Sequence, residues 1–324
     1  MALAPGGLPL ARFAAPRFPG AERPSITLRM KAWRGDHGGL LKWAFVGPAL
    51  AFLVAFNVFP LLYNVVLGFT NAELLGSGSE GVGGANYARV FSDPRFAGAV
   101  RLTATFVVSA VGLELLLGFA VALALQGEVR GKGAILAVLL VPMMLSPAVM
   151  GLFWSLILNG NYGLLNQGLS ALGLSEPQWL TDKALKLPSL LAIDVWMWTP
   201  FMLLIALAGL GSIPRSLYEA AAIDRASRWT VFRRITLPMT APLLGLAALL
   251  RATDALKQFD LVMSVTGPND SSTQTLSTLL YQVVFRDGKA GLGSAYACVV
   301  LVMVVAVATV FTRYLDFLRG KALA

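Results

Sequence analysis

The sequence predicts an all-α integral membrane protein with six transmembrane helices and a cytoplasmic helix-turn-helix loop. Three observations carry that prediction. Only 13% of the 324 residues are charged and the mean hydropathy is +0.70, whereas roughly a quarter of a soluble domain is charged. Six apolar stretches are long enough to cross a hydrocarbon core of about 30 Å, which takes about 20 helical residues. A polar, helix-forming segment, residues 213–238, lies between the fourth stretch and the fifth.

Residues 1–42 precede the first stretch and form the expected cytoplasmic N-terminal tail. The first 30 are rich in Pro, Gly and Arg and lack the unbroken apolar core of a signal peptide, so they read as disordered, with Met30-Lys31 as a second candidate start. The transmembrane domain is placed at 43–318, followed by a short cytoplasmic tail at 319–324. Its spans are expected near 43–69, 99–125, 134–158, 187–211, 240–264 and 292–314. The first and third contain no charged residue. The second carries Glu114, the fourth Asp194, and the fifth Arg251, Asp254, Lys257 and Asp260.

The connecting segments differ in character. Residues 70–98 are Gly-rich and then read Ser92-Asp93-Pro94, a turn or helix start. Residues 159–186, with Gly160, Gly163, Gly168 and Gly173 before Pro177-Gln178-Trp179-Leu180, suggest a short re-entrant or interfacial helix between turns. Residues 266–291 open on a Gly267-Pro268-Asn269-Asp270 turn and continue as an amphipathic stretch from Thr275 to Phe285. In the loop 213–238, Ile213-Pro214 precedes a helix at Arg215–Ile223. A second helix is expected from Ala226 to Arg234, and Pro238 then begins the fifth span.

Lysine and arginine set the orientation, because they concentrate in segments that stay in the cytoplasm. With both termini inside, seventeen fall on the cytoplasmic side and seven on the other. That asymmetry also accounts for the formal charge of +9. It excludes nucleic acid as a partner, since no basic patch is interleaved with aromatic residues on a soluble domain. One cysteine, Cys298, and one histidine, His37, leave no metal site, no disulfide and no thiol nucleophile with its base. No Gly-x-x-x-x-Gly-Lys-Ser/Thr phosphate loop occurs, so the chain is not expected to hydrolyse ATP or to hold a cofactor.

Within the polar loop, Glu219-Ala220-Ala221 and Ile235-Thr236-Leu237-Pro238 stand at the spacing of a known signature, with Asp224, Ala226 and Phe232 also matching. The pattern resembles the loop of permease subunits from binding-protein-dependent ABC importers. Val195–Phe201, Asp254–Asp260 and Thr275–Leu279 look like the maltose-type, sugar-importing branch, although Gly267-Pro268 is shorter than the family's glycine run there. The resemblance covers nearly all of the chain from about residue 40.

It implies a bacterial inner-membrane subunit that takes a carbohydrate from an extracytoplasmic solute-binding protein and pairs with a second, similar permease, distinct or identical, in the lipid bilayer. Two ATP-binding subunits, which bind ATP and Mg, would dock at the loop. Glu219 would anchor that contact, Ala220 and Ala221 would permit close approach, and Leu217, Ile223 and Phe232 would supply apolar surface. Arg225 stands where the family has glycine, so the turn there is either helical or strained.

A charge facing lipid at mid-depth costs at least about 2.5–3.5 kcal/mol, so intramembrane charges turn toward protein or water. Arg251, Asp254, Lys257 and Asp260 alternate in sign at i, i+3 steps, and neighbours can pair along the helix. They read either as a self-neutralising ladder bonded to adjacent helices or, with Asn57, Glu114 and Asp194, as the lining of a polar path. Trp154, Trp196, Trp198 and Tyr281 are candidates for stacking on sugar rings, whereas Trp43 and Trp179 suit an interfacial belt. Carboxylates such as Glu114 and Asp254 also suit an ion-coupled secondary transporter, and a permease of the same family for a non-sugar solute is a further alternative. Pro48, Pro60, Pro142, Pro147 and Pro200 permit kinks.

Overall fold

The computed structural model describes residues 37–76 and 78–322, and among them no strand forms. The expected disordered tail, including Met30, lies outside the described residues up to 36, as do residues 323–324. The chain divides into two units after Leu61.

In the first unit, α1 (His37–Leu53) runs into a π-helical turn, Val54–Val58, which holds Asn57. Side chains from Lys42 to Leu61 are exposed apart from Gly47, which is half-buried. Trp43, Phe45, Phe52 and Phe56 are among them, an apolar surface of the kind that hydrocarbon or another apolar helix covers. α2 (Phe59–Leu67) continues the helix across the division.

In the second unit, α3 (Ala85–Ser92) is fixed by Asn86, whose amide donates to the carbonyls of Gly68 and Thr70 at 3.0 and 2.7 Å. The expected helix start at Ser92-Asp93-Pro94 is present. The Asp93 side chain accepts from the Arg95 amide, Pro94 takes the first helical position, and α4 (Pro94–Ala124) runs for 31 residues. Burial raises the affinity of Asp93 for its proton, but hydrogen bonds from Arg95 and Tyr296 outweigh it and hold the carboxyl below its usual range.

The third apolar stretch is not one helix. It breaks into α5 (Lys132–Leu140), a 3₁₀ turn at Pro142–Met144 and α6 (Pro147–Ile157). Two prolines five residues apart explain the break: each lacks an N–H, and Pro147 forces Ser146 out of the helical region, to φ −63° and ψ 133°. Five helices in the described residues are therefore long and apolar enough to cross a membrane unaided.

The expected short helix in residues 159–186 is α7 (Leu164–Ala171), and Asp182 caps α8 (Lys183–Gly211). α9 (Arg215–Ile223) follows, then α10 (Arg228–Val231), a π-helical turn at Phe232–Thr236 and α11 (Leu237–Ala255). The last three form one unbroken helix, Arg228–Ala255. Pro238 thus does not begin the fifth span. The helix starts ten residues earlier and ends at Ala255 instead of 264, because the chain opens at Leu256–Phe259 before α12 (Asp260–Val265). The polar groups freed there are recruited: the Gln258 carbonyl accepts from Thr275 Oγ1 at 3.1 Å. The amphipathic stretch forms α13 (Leu276–Tyr281), capped by Thr275, and a π-helical turn at Gln282–Arg286. α14 (Ala290–Ala322) then continues past the expected end of the sixth span and through most of the expected tail.

α4, α8 and α11 pack on one another through small residues. A Cβ on Gly118 would lie 2.6 Å from the Cβ of Met202, and Ala110, Ala206, Ala247 and Ala255 are fully buried. In a bilayer this close approach supplies the dispersion and polar contacts that hold helices together.

Candidate functional site

Two features stand out: a buried charge cluster where α4, α8 and α11 meet, and an exposed helical loop between α8 and α11. In the cluster, Glu114 and Asp194 have no exposed surface and Arg251 has 2%. Arg251 Nε donates to both oxygens of Glu114, at 3.2 and 3.0 Å, and Nη2 donates to Asp194 Oδ2. Gln258 Nε2 donates to Asp194 Oδ1 at 2.8 Å, and the Trp198 ring lies 4.9 Å from the guanidinium carbon. One arginine therefore joins three helices that are far apart in sequence.

Only the first step of the expected i, i+3 ladder forms. Arg251 Nη1 reaches Asp254 at 3.5 Å, but the Asp254 side chain is 56% exposed. Lys257 falls in the opened segment after α11 and makes no ion pair among the described residues, and Asp260 starts α12. Helical spacing holds only as long as the helix does, and this one stops at Ala255. Asp254, Lys257 and Asp260 are left with exposed side chains.

The aromatic candidates separate. Trp154 and Trp196 meet edge to face at 5.4 Å, Trp196 is exposed, and the buried indole N–H of Trp154 has no acceptor among the described residues. Trp198 is occupied by Arg251. The Tyr281 ring lies tilted against those of Phe259 and Phe285, at 5.5 and 5.0 Å. Asn57 belongs to the first unit and is exposed. Within the second unit, Lys186 at the start of α8 pairs with Asp270. Burial would raise that carboxyl, but Lys186 and Ser272 hold it below the usual range.

In the loop, α9 exposes Leu217, Glu219, Ala220 and Ile223, and Asp224 is exposed at its end. Two residues expected to face outward turn in. Ala221 is buried, and Phe232 is half-buried between Phe119, at 6.1 Å, and Trp229, at 5.5 Å. Trp229 itself is 67% exposed and stacked on Phe232. Sequence reasoning passed over it, although an aromatic three residues before Phe232, beside Arg228, was a usable signal. Leu237 and Pro238 are exposed at the start of α11. Tyr218 binds the loop to the next span, its hydroxyl 3.2 Å from Thr236 Oγ1.

Arg225 has φ 51° and is the one non-glycine residue with positive φ among the described residues. The amide of Ala226 bonds the Ala221 carbonyl at 2.9 Å and that of Arg225 bonds Ala222 at 3.1 Å, which closes α9 in a Schellman motif with Arg225 in the left-handed position. Of the two readings of this turn, the strained one is correct. Arg225→Gly is expected to relieve about 1 kcal/mol and to slow amide hydrogen exchange at the end of α9. Exchange that stays the same or quickens would exclude strain at this residue.

Residues 114–319 match the family described as binding-protein-dependent transport system inner membrane component. The trehalose/maltose transport system permease protein MalF of Thermococcus litoralis is 34% identical over 86% of this chain and 95% of its own length. The trehalose transport system permease protein SugA of Mycobacterium tuberculosis is 30% identical over 84% and 88%. A crystal structure of a bacterial ABC transporter involved in the import of the acidic polysaccharide alginate shares the fold, with a TM-score of 0.77, 20% identity, and coverage of 88% of this chain and 98% of that one.

Proposed function

The chain belongs to the family of binding-protein-dependent transport inner membrane components, and from that premise we propose that it is the permease subunit of an ATP-driven importer of a carbohydrate. In this reading α5 and α6 together cross the membrane as one broken span, which gives six spans with both termini and the loop 213–238 in the cytoplasm. The partners are a second permease, two ATP-binding subunits that dock at the loop, and a solute-binding protein on the other side. The sugar assignment draws on the two trehalose or maltose permeases among its relatives.

The observation that carries the docking assignment is α9 itself. It is a short helix with an exposed acid, Glu219, flanked by exposed Leu217 and Ile223, closed by a Schellman turn and tied to the following span through Tyr218. Such a rigid, mostly exposed element suits a groove on another protein better than it suits lipid.

These groups suit a path for a hydroxyl-rich solute: exposed Asp254, Lys257 and Asp260 as hydrogen-bonding groups, with exposed Trp196 and half-buried Tyr281 as ring faces. Glu114, Asp194 and Arg251 act in this reading as the joint that positions that wall. The complex, reconstituted with its ATPase and binding protein, is expected to take up sugar only with ATP. Asp254→Ala should lower that uptake about tenfold, the loss of one good hydrogen bond to a charged group. Uptake unchanged in a fully assembled complex would remove Asp254 from the path, and uptake driven by an ion gradient without ATP would overturn the assignment.

A further inference from the structure

The buried cluster holds two acids and one base. Glu114 and Asp194 have no exposed surface, so neither solvent nor a neighbouring subunit can reach them to supply the missing positive charge. The charged groups near them are few. On α11, Asp254 is the one further acid or base within 4 Å of Arg251 among the described residues, and it is negative. Lys257, in the opened segment, makes no ion pair among them. α13 and α14 meet α4 and α11 through Leu276, Leu279, Val304 and Phe311, which carry no charge. Fully ionised, the cluster would place a net negative charge in the interior of a membrane protein, the arrangement that desolvation penalises most.

The hydrogen bonds say which acid keeps a proton. Asp194 has a separate donor on each oxygen, Arg251 Nη2 on one and Gln258 Nε2 on the other. Glu114 has a single donor, Arg251 Nε, divided between its two oxygens. Asp194 is the better-served anion and Glu114 the poorly served one.

We infer that Glu114 is a resident proton site: it holds a proton at neutral pH and so leaves Arg251 and Asp194 as a one-to-one ion pair. The three buried groups together then carry no net charge. This inference does not depend on what the protein transports.

The test is infrared absorption of the assembled complex in lipid at neutral pH, together with its melting temperature. The wild type is expected to show a protonated-carboxyl C=O band that shifts in D₂O and is lost in Glu114→Gln. Glutamine matches the protonated acid in shape and charge, and its carbonyl can accept from Arg251 Nε, so Glu114→Gln should melt with the wild type. Asp194→Asn removes the anion that Arg251 needs and should lower the melting temperature by several degrees. A wild-type spectrum whose carboxyl band is untouched by Glu114→Gln overturns the inference. So does a Glu114→Gln complex that melts as low as Asp194→Asn. If Asp194→Asn does not assemble, the spectrum and melting temperature of Glu114→Gln still decide.

Discussion

Arg251→Met is expected to cost about 3–5 kcal/mol, the penalty for removing one partner of a buried ion pair and leaving the other without compensation. Methionine nearly fills the volume of the arginine stem, so little of that cost is a cavity. The loss lies in Glu114 and Asp194, which stay at zero exposure with their common donor gone. Because the same guanidinium joins α4, α8 and α11, the damage should appear as a loss of assembled protein from the membrane as well as a lower melting temperature in detergent. The triple variant Arg251→Met, Glu114→Met, Asp194→Leu should recover much of the stability, since apolar groups of similar volume often replace a buried ionic cluster at little cost. A single Arg251→Met variant as stable as the wild type would show that the cluster does not hold the three helices together.

Glu219→Lys should abolish communication with the ATPase while leaving the spans folded. Glu219 is exposed on α9 and takes part in no ion pair among the described residues, so its reversal disturbs nothing within this chain. If it meets a basic residue on the ATP-binding subunit, placing two cations together costs several kcal/mol. That is a loss of more than about 100-fold in affinity. ATP hydrolysis stimulated by the loaded binding protein should fall to the basal rate, and the ATPase should no longer co-purify. Glu219→Ala should weaken both effects without eliminating them. Full stimulation in Glu219→Lys would dismiss the docking surface.

The spans were legible because length and apolarity are properties of a continuous segment, and four of them can be read from hydropathy without knowing any contact. The third and fifth could not be read fully, for separate reasons. Pro142 and Pro147 each permit a kink, but only their spacing turns two kinks into a break with an extended residue at Ser146. In the fifth, the alternating charges looked local because four residues at i, i+3 steps can always be drawn on a helix. The partners Arg251 uses lie 137 and 57 residues away, and one sequence contains no trace of such pairings. The loop was more legible: its composition predicted α9, and the departure at Arg225 marked the position where the backbone turns left-handed. Ala221 and Phe232 were assigned outward because a motif gives identity and spacing, whereas the direction a side chain faces depends on Phe119 from a distant helix.

The unbroken helix from Arg228 to Ala255 has a mechanical consequence. At 1.5 Å per residue, about 33 Å of helical rod separates Trp229, at the surface of the loop, from Arg251 in the interior. Arg251 is pinned on two sides, to Glu114 and to Asp194, so a push on the loop end cannot simply slide the rod. The pin acts as a fulcrum, and the rod can only tilt or turn about it. The short arm beyond the fulcrum is just four residues long before the chain opens at Leu256. A lever with so long an arm on one side and so short an arm on the other trades distance for force, delivering a small, strong displacement to Asp254 and Lys257.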